Sequence, residues 1–280
     1  MTNRKLAYIV KDQKPLVLAA DATVQHACRS MWERRTGSVL VVDSQQRLDG
    51  IFTGRDAVRL LAEGEDAAAT LLGDAMTPNP MTVTPDSRAI DALRVMSNGD
   101  FRHVPVTDNG RIWGVVSRGD FKGMEFEEFD WARIDKTAGV TGIREVANII
   151  QDQKPLVLAT DRIVRDACRS MWQGKCGSVL VVDSPQRMKG IFTGRDAVRL
   201  LAEGEDAAAT LLGDAMTPKP VTIAPDSSAI DALRAMSDGG FRHIPVIDNG
   251  RICGVVSRGD FTGVEIDRLE EEQHLWECIR

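Results

Sequence analysis

The chain has 280 residues, of which 43% are hydrophobic and 27% are charged, as in a globular protein. Its 35 basic and 41 acidic residues give a net charge of −6 without a basic run, which argues against a nucleic-acid-binding role. No apolar stretch reaches the roughly 20 residues of a membrane-spanning helix, and no secretory signal is expected. Five cysteines without a Cys-x-x-Cys pair predict a reduced, cytoplasmic protein.

The chain repeats itself with an offset of 140 residues. "DQKPLVLAADATVQHACRSMW" at Asp12 matches "DQKPLVLATDRIVRDACRSMW" at Asp152, and the match continues to about Glu125 and Glu265. A weaker repeat inside each copy aligns residues 14–31 with residues 79–96. We therefore expect two modules, 1–130 and 131–280, made of four units: 1–65, 66–130, 131–205 and 206–280.

Each unit is predicted to have the order β-α-β-β-α. In unit 1, "PLVLA" is extended, and Val24, Ala27, Cys28 and Met31 have the spacing of one helical face. Two short apolar strands follow, joined by a turn, and the last strand leads into a helix that Gly64 ends. One such unit buries little apolar surface alone, so the units are expected to pair.

Two segments lie between and after the modules. An acidic and aromatic segment near residues 122–142 connects the modules, and "EIDRLEEEQHLWECIR" at the end of the chain is predicted to be helical.

One motif ends every unit: "GIFTGRD" at Gly50 and Gly190, and "GVVSRGD" at Gly114 and Gly254. Ser/Thr-x-x-Asp before a helix is a capping box, in which the hydroxyl and the carboxylate satisfy free N–H groups. The same groups suit a ligand, since a carboxylate accepts hydrogen bonds from a vicinal diol and a helix N-terminus offers N–H groups to phosphate. The two roles are compatible.

A β-α-β-β-α unit that begins with "AMTPNPMTVTPD" and closes with "GVVSRGDF" resembles the CBS domain, and two in tandem resemble a Bateman module. The resemblance covers residues from about 10 to 265. It implies an α/β fold of four units, paired into two pseudo-two-fold Bateman modules. It also implies a flat disc of two modules, here within one chain, while a homodimer through exposed helices stays open.

The family's nucleotide-binding motif is Gly, apolar, any, Ser/Thr, any, any, Asp/Asn. The resemblance implies that the aspartate binds ribose, that Thr77 and its neighbours line the adenine pocket, and that arginine and histidine side chains reach phosphate. The residues assigned in this way are Thr53, Arg55, Asp56, Thr77, Thr82, Arg102, His103, Ser117, Arg118, Asp120, Thr193, Arg195, Asp196, Thr217, Thr222, Arg242, His243, Ser257, Arg258 and Asp260.

Units 1 and 3 depart from the family pattern. Their first strands are preceded by "VKDQK" and "IQDQK" rather than Met-Thr, and Gly37-Ser38 and Gly177-Ser178 replace Arg-His. Units 2 and 4 keep Arg-His, so their "GVVSRGD" motifs are the better-matched versions, with Thr77 and Arg102 expected around the first of them.

The remaining candidates have structural interpretations. His103 and His243 are equally well explained as partly buried residues, and none of the four histidines pairs with a cysteine at metal-ligand spacing, so no metal is expected. Trp32 and Trp172 are predicted to be packing or interface residues rather than to stack on bases. Because no Gly-x-Ser-x-Gly, P-loop or His-Glu-x-x-His motif occurs, we do not expect an enzyme.

These features together predict a cytoplasmic adenine-nucleotide sensor that acts on an unidentified protein target. AMP is the first choice of ligand, then ATP or ADP. A ligand-free scaffold or interaction module and an S-adenosylmethionine binder are the alternatives, and Arg102 and Arg242 favour a phosphate-bearing ligand.

Overall fold

The computed structural model describes residues 4–99, 101–122, 125, 144–183, 187–261, 265, 266 and 269. Most of the predicted connecting segment near residues 122–142 and most of the predicted C-terminal helix therefore lie outside the described residues.

Each odd-numbered unit contains a four-stranded sheet and two long helices. The elements of unit 1 and its surroundings are α1 (Leu6–Ile9), β1 (Val17–Ala19), α2 (Val24–Arg34), β2 (Ser38–Val42), β3 (Leu48–Thr53), α3 (Gly54–Glu63), α4 (Leu72–Ala75) and β4 (Thr77–Pro78). The sheet order is β1-β2-β3-β4, with β1 parallel to β2 and the other neighbours antiparallel. The predicted β-α-β-β-α order is confirmed here.

Among the residues that the structure describes, each even-numbered unit has one long helix and an antiparallel strand pair. The elements of unit 2 are α5 (Ala89–Gly99), β5 (His103–Asp108), β6 (Arg111–Ser117) and a 3-10 turn (Arg118–Asp120). Val83 adds a parallel bridge to Val106 beside this pair. The short 3-10 turn stands where unit 1 has the ten-residue helix α3.

The second module repeats the first. Its elements are α6 (Val146–Ile150), β7 (Val157–Ala159), α7 (Val164–Gln173), β8 (Ser178–Val182), β9 (Met188–Thr193), α8 (Gly194–Glu203), α9 (Leu212–Ala215), β10 (Thr217–Pro218), α10 (Ala229–Gly239), β11 (His243–Asp248), β12 (Arg251–Ser257) and a 3-10 turn (Arg258–Asp260). The fold class expected from the sequence, α/β with four units arranged in pairs, is confirmed.

Local sequence accounts for the helix ends in unit 1. The Thr23 hydroxyl accepts a hydrogen bond from the His26 N–H at the start of α2. The apolar face of α2 buries Val24, Ala27, Cys28 and Met31, as the spacing predicts. Gly64 ends α3 in the left-handed conformation, with φ of 80°, which costs glycine little because it has no Cβ.

The segments between units cross from one unit to another. α1 packs into the core of unit 2, since Leu6 and Val10 join the buried cluster that contains α5, β5 and β6. α4 follows α3 in the chain and packs back against unit 1, since Leu72 and Ala75 lie in the core of that unit. The motif of unit 2 is therefore flanked by the segment that precedes β1 of unit 1.

The hydrophobic cores extend between the modules. One contiguous cluster joins units 1 and 3, and a second joins units 2 and 4. α2 packs against α8, and α3 packs against α7 and α8. At the N-termini of α3 and α8, Gly54 and Gly194 approach so closely that a Cβ on Gly54 would lie 3.2 Å from the carbonyl oxygen of Gly194. The motifs of the two modules consequently lie near one another.

Candidate functional site

All four repeated motifs form capping boxes. In unit 1 the Thr53 N–H and Oγ1–H donate to Oδ2 of Asp56 at 2.8 and 2.9 Å, and Thr53 Oγ1 accepts from the Arg55 N–H. Thr193 and Asp196 repeat these contacts at the start of α8. The structural interpretation of the motif is therefore correct for every copy, and any binding role is additional to it.

Asp56 and Asp196 are buried, and both carboxylate oxygens of each accept hydrogen bonds. Their residues are 7% and 6% exposed, and the Thr77 and Thr217 hydroxyls donate to their Oδ1 atoms at 3.2 and 2.9 Å. Burial raises the pKa of both carboxyls, and the hydrogen bonds from threonine only partly oppose this. These contacts suit a structural cap more than an open acceptor.

Thr77 reaches Asp56 because β4 pairs with β3, with Thr77 opposite Ile51. Arg59 of α3 also donates to the Ala75 carbonyl at 2.7 Å, which holds the chain before β4. The sequence grouped Thr77 with the motif of unit 2, whereas the structure places it against the aspartate of unit 1.

Asp120 and Asp260 lie in the 3-10 turns and are partly exposed. The Ser117 N–H and Oγ–H donate to Oδ2 of Asp120 at 2.6 and 2.9 Å, and the Ser257 N–H donates to Oδ2 of Asp260 at 2.7 Å. The hydrogen bonds of these two carboxylates to described residues engage Oδ2 alone. The Oδ1 atoms can accept hydrogen bonds from a ligand.

Basic side chains from three units converge beside these turns. We define the basic cluster as Arg102, Arg195, Arg242, Arg258, His103 and His243. Burial of the guanidinium and the nearby charges of Arg102 and Arg258 lower the pKa of Arg242, while Asp120 of the other module opposes this shift. Arg242 also keeps exposed surface.

Two arginines of the 3-10 turns lie at the interface between the modules. Arg118 donates to the Gly259 carbonyl of the second module at 3.2 Å, and the guanidinium of Arg258 lies near Gly119. Arg195 donates to the Gly240 carbonyl at 3.4 Å. Arg55 is exposed at the N-terminus of α3. Positive charge is thus concentrated where the helix and turn N-termini of both modules meet.

His103 and His243 occupy the space that two glycines leave open. A Cβ on Gly37 would lie 2.9 Å from Nε2 of His103, and a Cβ on Gly177 would lie 2.9 Å from Nε2 of His243. The replacement of Arg-His by Gly-Ser in units 1 and 3 therefore makes room for the histidine of the neighbouring unit. A Cβ on Gly177 would also lie 3.2 Å from Nη2 of Arg102, which belongs to the first module.

The two histidines are neutral in the folded protein. Burial, followed by the charges of Arg242 and Arg102, lowers the pKa of His103 to about 3. Burial, Arg102 and Arg242 likewise lower the pKa of His243 to about 3. Nε2 of His243 is buried and has no hydrogen-bond partner among the described residues.

Thr82 and Thr222 are exposed, and within the described residues no hydrogen bond joins either to a motif aspartate. Sequence reasoning missed two further pairs: Arg4 with Glu125, and Arg144 with Glu265. The repeat could have indicated these pairs. Its offset of 140 residues also relates Arg4 to Arg144, which precede the matching segments that begin at Asp12 and Asp152.

No group of three or more metal-ligating side chains occurs in the part of the chain that the structure describes. Every helix among the described residues is too short or too polar to span a bilayer.

Comparison with known proteins identifies the family. The CBS domain family matches residues 9–63, 72–123 and 212–266, which together are more than half of the chain. CBS domain-containing protein CBSCBSPB2 of Arabidopsis thaliana is 34% identical over 84% of this chain and 48% of its own length. CBSCBSPB3 of the same organism is 32% identical over 92% of this chain and 52% of its own length. The chain thus spans about half the length of these curated relatives.

Among solved structures, protein MJ1225 from Methanocaldococcus jannaschii has the same fold. It superposes with a TM-score of 0.72 at 17% identity, over 96% of this chain and 99% of that chain. From the matched segments, the repeat and the shared fold, we conclude that this chain belongs to the CBS domain family.

Proposed function

We propose that this chain is a non-catalytic regulatory protein that binds an adenine nucleotide, with AMP the first choice and ADP or ATP next, and acts on a protein target. The basic cluster is the observation that carries the proposal. Arg102, Arg258 and Arg195 lie close enough to Arg242 to lower its pKa, so a bound anion would be favoured beside them. A nucleotide phosphate has the required charge and accepts hydrogen bonds from guanidinium.

In this proposal Asp120 and Asp260 bind the ribose. Each is partly exposed and keeps Oδ1 for the hydroxyls of a vicinal diol. Asp56 and Asp196, which are buried and hold threonine hydroxyls on Oδ1, serve as caps. Two binding sites per chain follow, one at each even-numbered unit.

The ligand would act through the arrangement of the modules. Asp120 of the first module and Arg242 of the second attract one another, so a nucleotide held by both would join the modules. A ligand shifts an equilibrium between two arrangements only by its difference in affinity for them. The protein target would recognise the arrangement that the nucleotide favours. Free thiols at Cys28, Cys168, Cys176 and Cys253 fit a reducing compartment such as the cytoplasm.

A ligand-free scaffold is the second candidate, and the four capping boxes favour it. Each motif already has a structural task that requires no ligand. S-adenosylmethionine is a weaker candidate, because its sulfonium centre adds positive charge beside the basic cluster.

Calorimetric titration of protein freed of co-purified ligand tests the proposal with AMP, ADP, ATP and S-adenosylmethionine. We expect the nucleotides to bind. Asp120→Asn with Asp260→Asn should weaken AMP binding by about 10- to 100-fold, since a hydrogen bond to a charged group contributes about 1.5–3 kcal/mol. The matched control, Asp56→Asn with Asp196→Asn, should lower the melting temperature while changing the AMP affinity less.

The same titrations separate the candidates. No binding by any of the four compounds would support the scaffold, and preferential binding of S-adenosylmethionine would replace the nucleotide. Equal losses of AMP affinity in the two aspartate variants would contradict the assignment of ribose to Asp120 and Asp260.

A further inference from the structure

A buried ion pair holds the turn that carries Asp120. The Arg4 guanidinium donates from Nε to Oε1 of Glu125 at 2.9 Å and from Nη2 to Oε2 at 2.8 Å. Nη2 also donates to the backbone carbonyl of Asp120 at 3.1 Å. The Glu125 side chain is only 2% exposed. One guanidinium therefore connects the segment before β1, a glutamate five residues after the motif and the proposed ribose-binding aspartate.

The second module contains the same arrangement. Arg144 donates from Nε and Nη2 to the two carboxylate oxygens of Glu265 at 2.7 and 2.8 Å, and from Nη2 to the Asp260 carbonyl at 3.1 Å. The Glu265 side chain is 5% exposed. The contact thus accompanies both even-numbered motifs.

The glutamate is held firmly because a buried carboxylate must be paired. Besides the Arg4 side chain, the Lys122 N–H donates to Oε2 of Glu125 at 2.8 Å. Breaking such a pair leaves an uncompensated buried charge, which is strongly unfavourable. The pair consequently fixes the position of Arg4, and Arg4 in turn fixes the peptide after Asp120.

The odd-numbered units do not need this support. Asp56 is in the first turn of α3, a ten-residue helix whose own hydrogen bonds hold the backbone. Asp120 is the last residue of a three-residue 3-10 turn. Its carboxylate is held by Ser117 and its carbonyl by Arg4, so the residue is fixed from two sides.

We propose that Arg4 with Glu125, and Arg144 with Glu265, are positioning residues that orient Asp120 and Asp260 toward the ribose. This inference rests on the proposed function and adds residues that contact no ligand atom. A carboxylate that must accept from two adjacent hydroxyls is sensitive to small displacements. Residues that orient metal ligands change affinity by about 10–100-fold, and we expect the lower end of that range here.

The test compares AMP with 2′-deoxy-AMP, which lacks one ribose hydroxyl. In Arg4→Ala with Arg144→Ala, we expect AMP affinity to fall about tenfold and 2′-deoxy-AMP affinity by less than about threefold. Lys5→Ala is the control, since Lys5 adjoins Arg4 and its side chain forms an exposed ion pair with Asp86. It should leave both affinities unchanged. Circular dichroism checks that each variant is folded.

A milder pair, Glu125→Gln with Glu265→Gln, keeps the side-chain shape and should shift the AMP to 2′-deoxy-AMP ratio in the same direction. If folded variants lose affinity for both nucleotides equally, or for neither, the positioning role is wrong although the proposed function stands. If neither pair of variants folds, the contacts are structural and the inference is overturned. If the unmodified chain binds neither nucleotide, the proposed function fails first.

Discussion

Gly37 and Gly177 show how single residues differ between otherwise similar units. Where units 2 and 4 carry Arg102 and Arg242, units 1 and 3 have glycine, and a histidine of the neighbouring unit packs over each glycine. The glycines of units 1 and 3 are therefore complementary in shape to the histidines of units 2 and 4. Removing one side chain creates the space in which a histidine can be buried against the basic cluster.

The buried histidines should make stability depend on pH. Both have a pKa of about 3 in the folded protein against an ordinary value of 6.5. Between these values the unfolded chain binds protons that the folded chain does not, so the free energy of unfolding should decrease as the pH falls from about 6.5 toward 3. Each histidine contributes a slope of at most about 1.4 kcal/mol per pH unit.

Chemical denaturation from pH 3.5 to 7.5 would measure this slope for the protein and for His103→Asn with His243→Asn. The variant should have the shallower profile. His26, which is exposed, supplies the control, because His26→Asn should retain the original slope. Parallel profiles for the protein and the double variant would contradict the assignment. The pKa values of Asp56 and Asp196 are raised in the folded protein, which makes the free energy of unfolding increase as the pH falls. This opposing contribution is the same in the unmodified protein and in both variants.

At the scale of elements, the segment from α1 to Gln13 is the least expected part of the fold. It precedes β1 of unit 1 in the chain but covers β6 of unit 2, where the Val115 N–H donates to Oε1 of Gln13 at 3.1 Å. Gly114, the first residue of the motif, allows this approach. A Cβ there would lie 2.7 Å from Cβ of Val10 and 2.7 Å from Oε1 of Gln13.

Gly114→Ala should therefore displace α1 from β6. The added methyl group meets the Val10 Cβ, which sits close to the backbone and cannot rotate away, so overpacking should cost about 1–3 kcal/mol of stability. Urea denaturation measures the loss. Gly119→Ala is the matched control, since the nearest atom to its Cβ would be 3.7 Å away, an ordinary contact. Equal stabilities for the two variants would show that α1 can move without cost.

At the scale of the whole molecule, the modules share their cores. Each core combines residues from both halves of the chain, and the packing of α2 and α3 against α7 and α8 spans the interface between modules. Separating the halves would expose much of this apolar surface to water. We expect the four units to unfold together rather than module by module.

Leu200→Ala tests this cooperation. Leu200 lies on α8 in the second module and is 2% exposed, so its truncation should cost about 2–5 kcal/mol. If the modules unfold together, hydrogen exchange of the amides of α3, in the first module, should accelerate as well. Val221→Ala, at a residue of the same module that is 53% exposed, should change neither stability nor exchange appreciably. Acceleration confined to the second module would mean that the modules unfold independently.

Much of the fold follows from local sequence. The duplication, the β-α-β-β-α order, the buried face of α2, the stop at Gly64 and the capping boxes depend on residues within a few positions of one another. Their hydrogen bonds and periodicity act over one or two helical turns. The motif and the even-numbered Arg-His pairs were recognisable for the same reason.

The tertiary structure decided what those residues face. Thr77 belongs to the aspartate of unit 1 because β4 pairs with β3, and Arg4 reaches Asp120 across 116 residues. The basic cluster collects side chains from both modules because the apolar faces of α2, α3, α7 and α8 pack between the modules rather than within one of them. Burial of these faces is non-directional and is satisfied by several pairings in a sequence of near-identical units. Only the complete packing selects one pairing and so determines which charges meet.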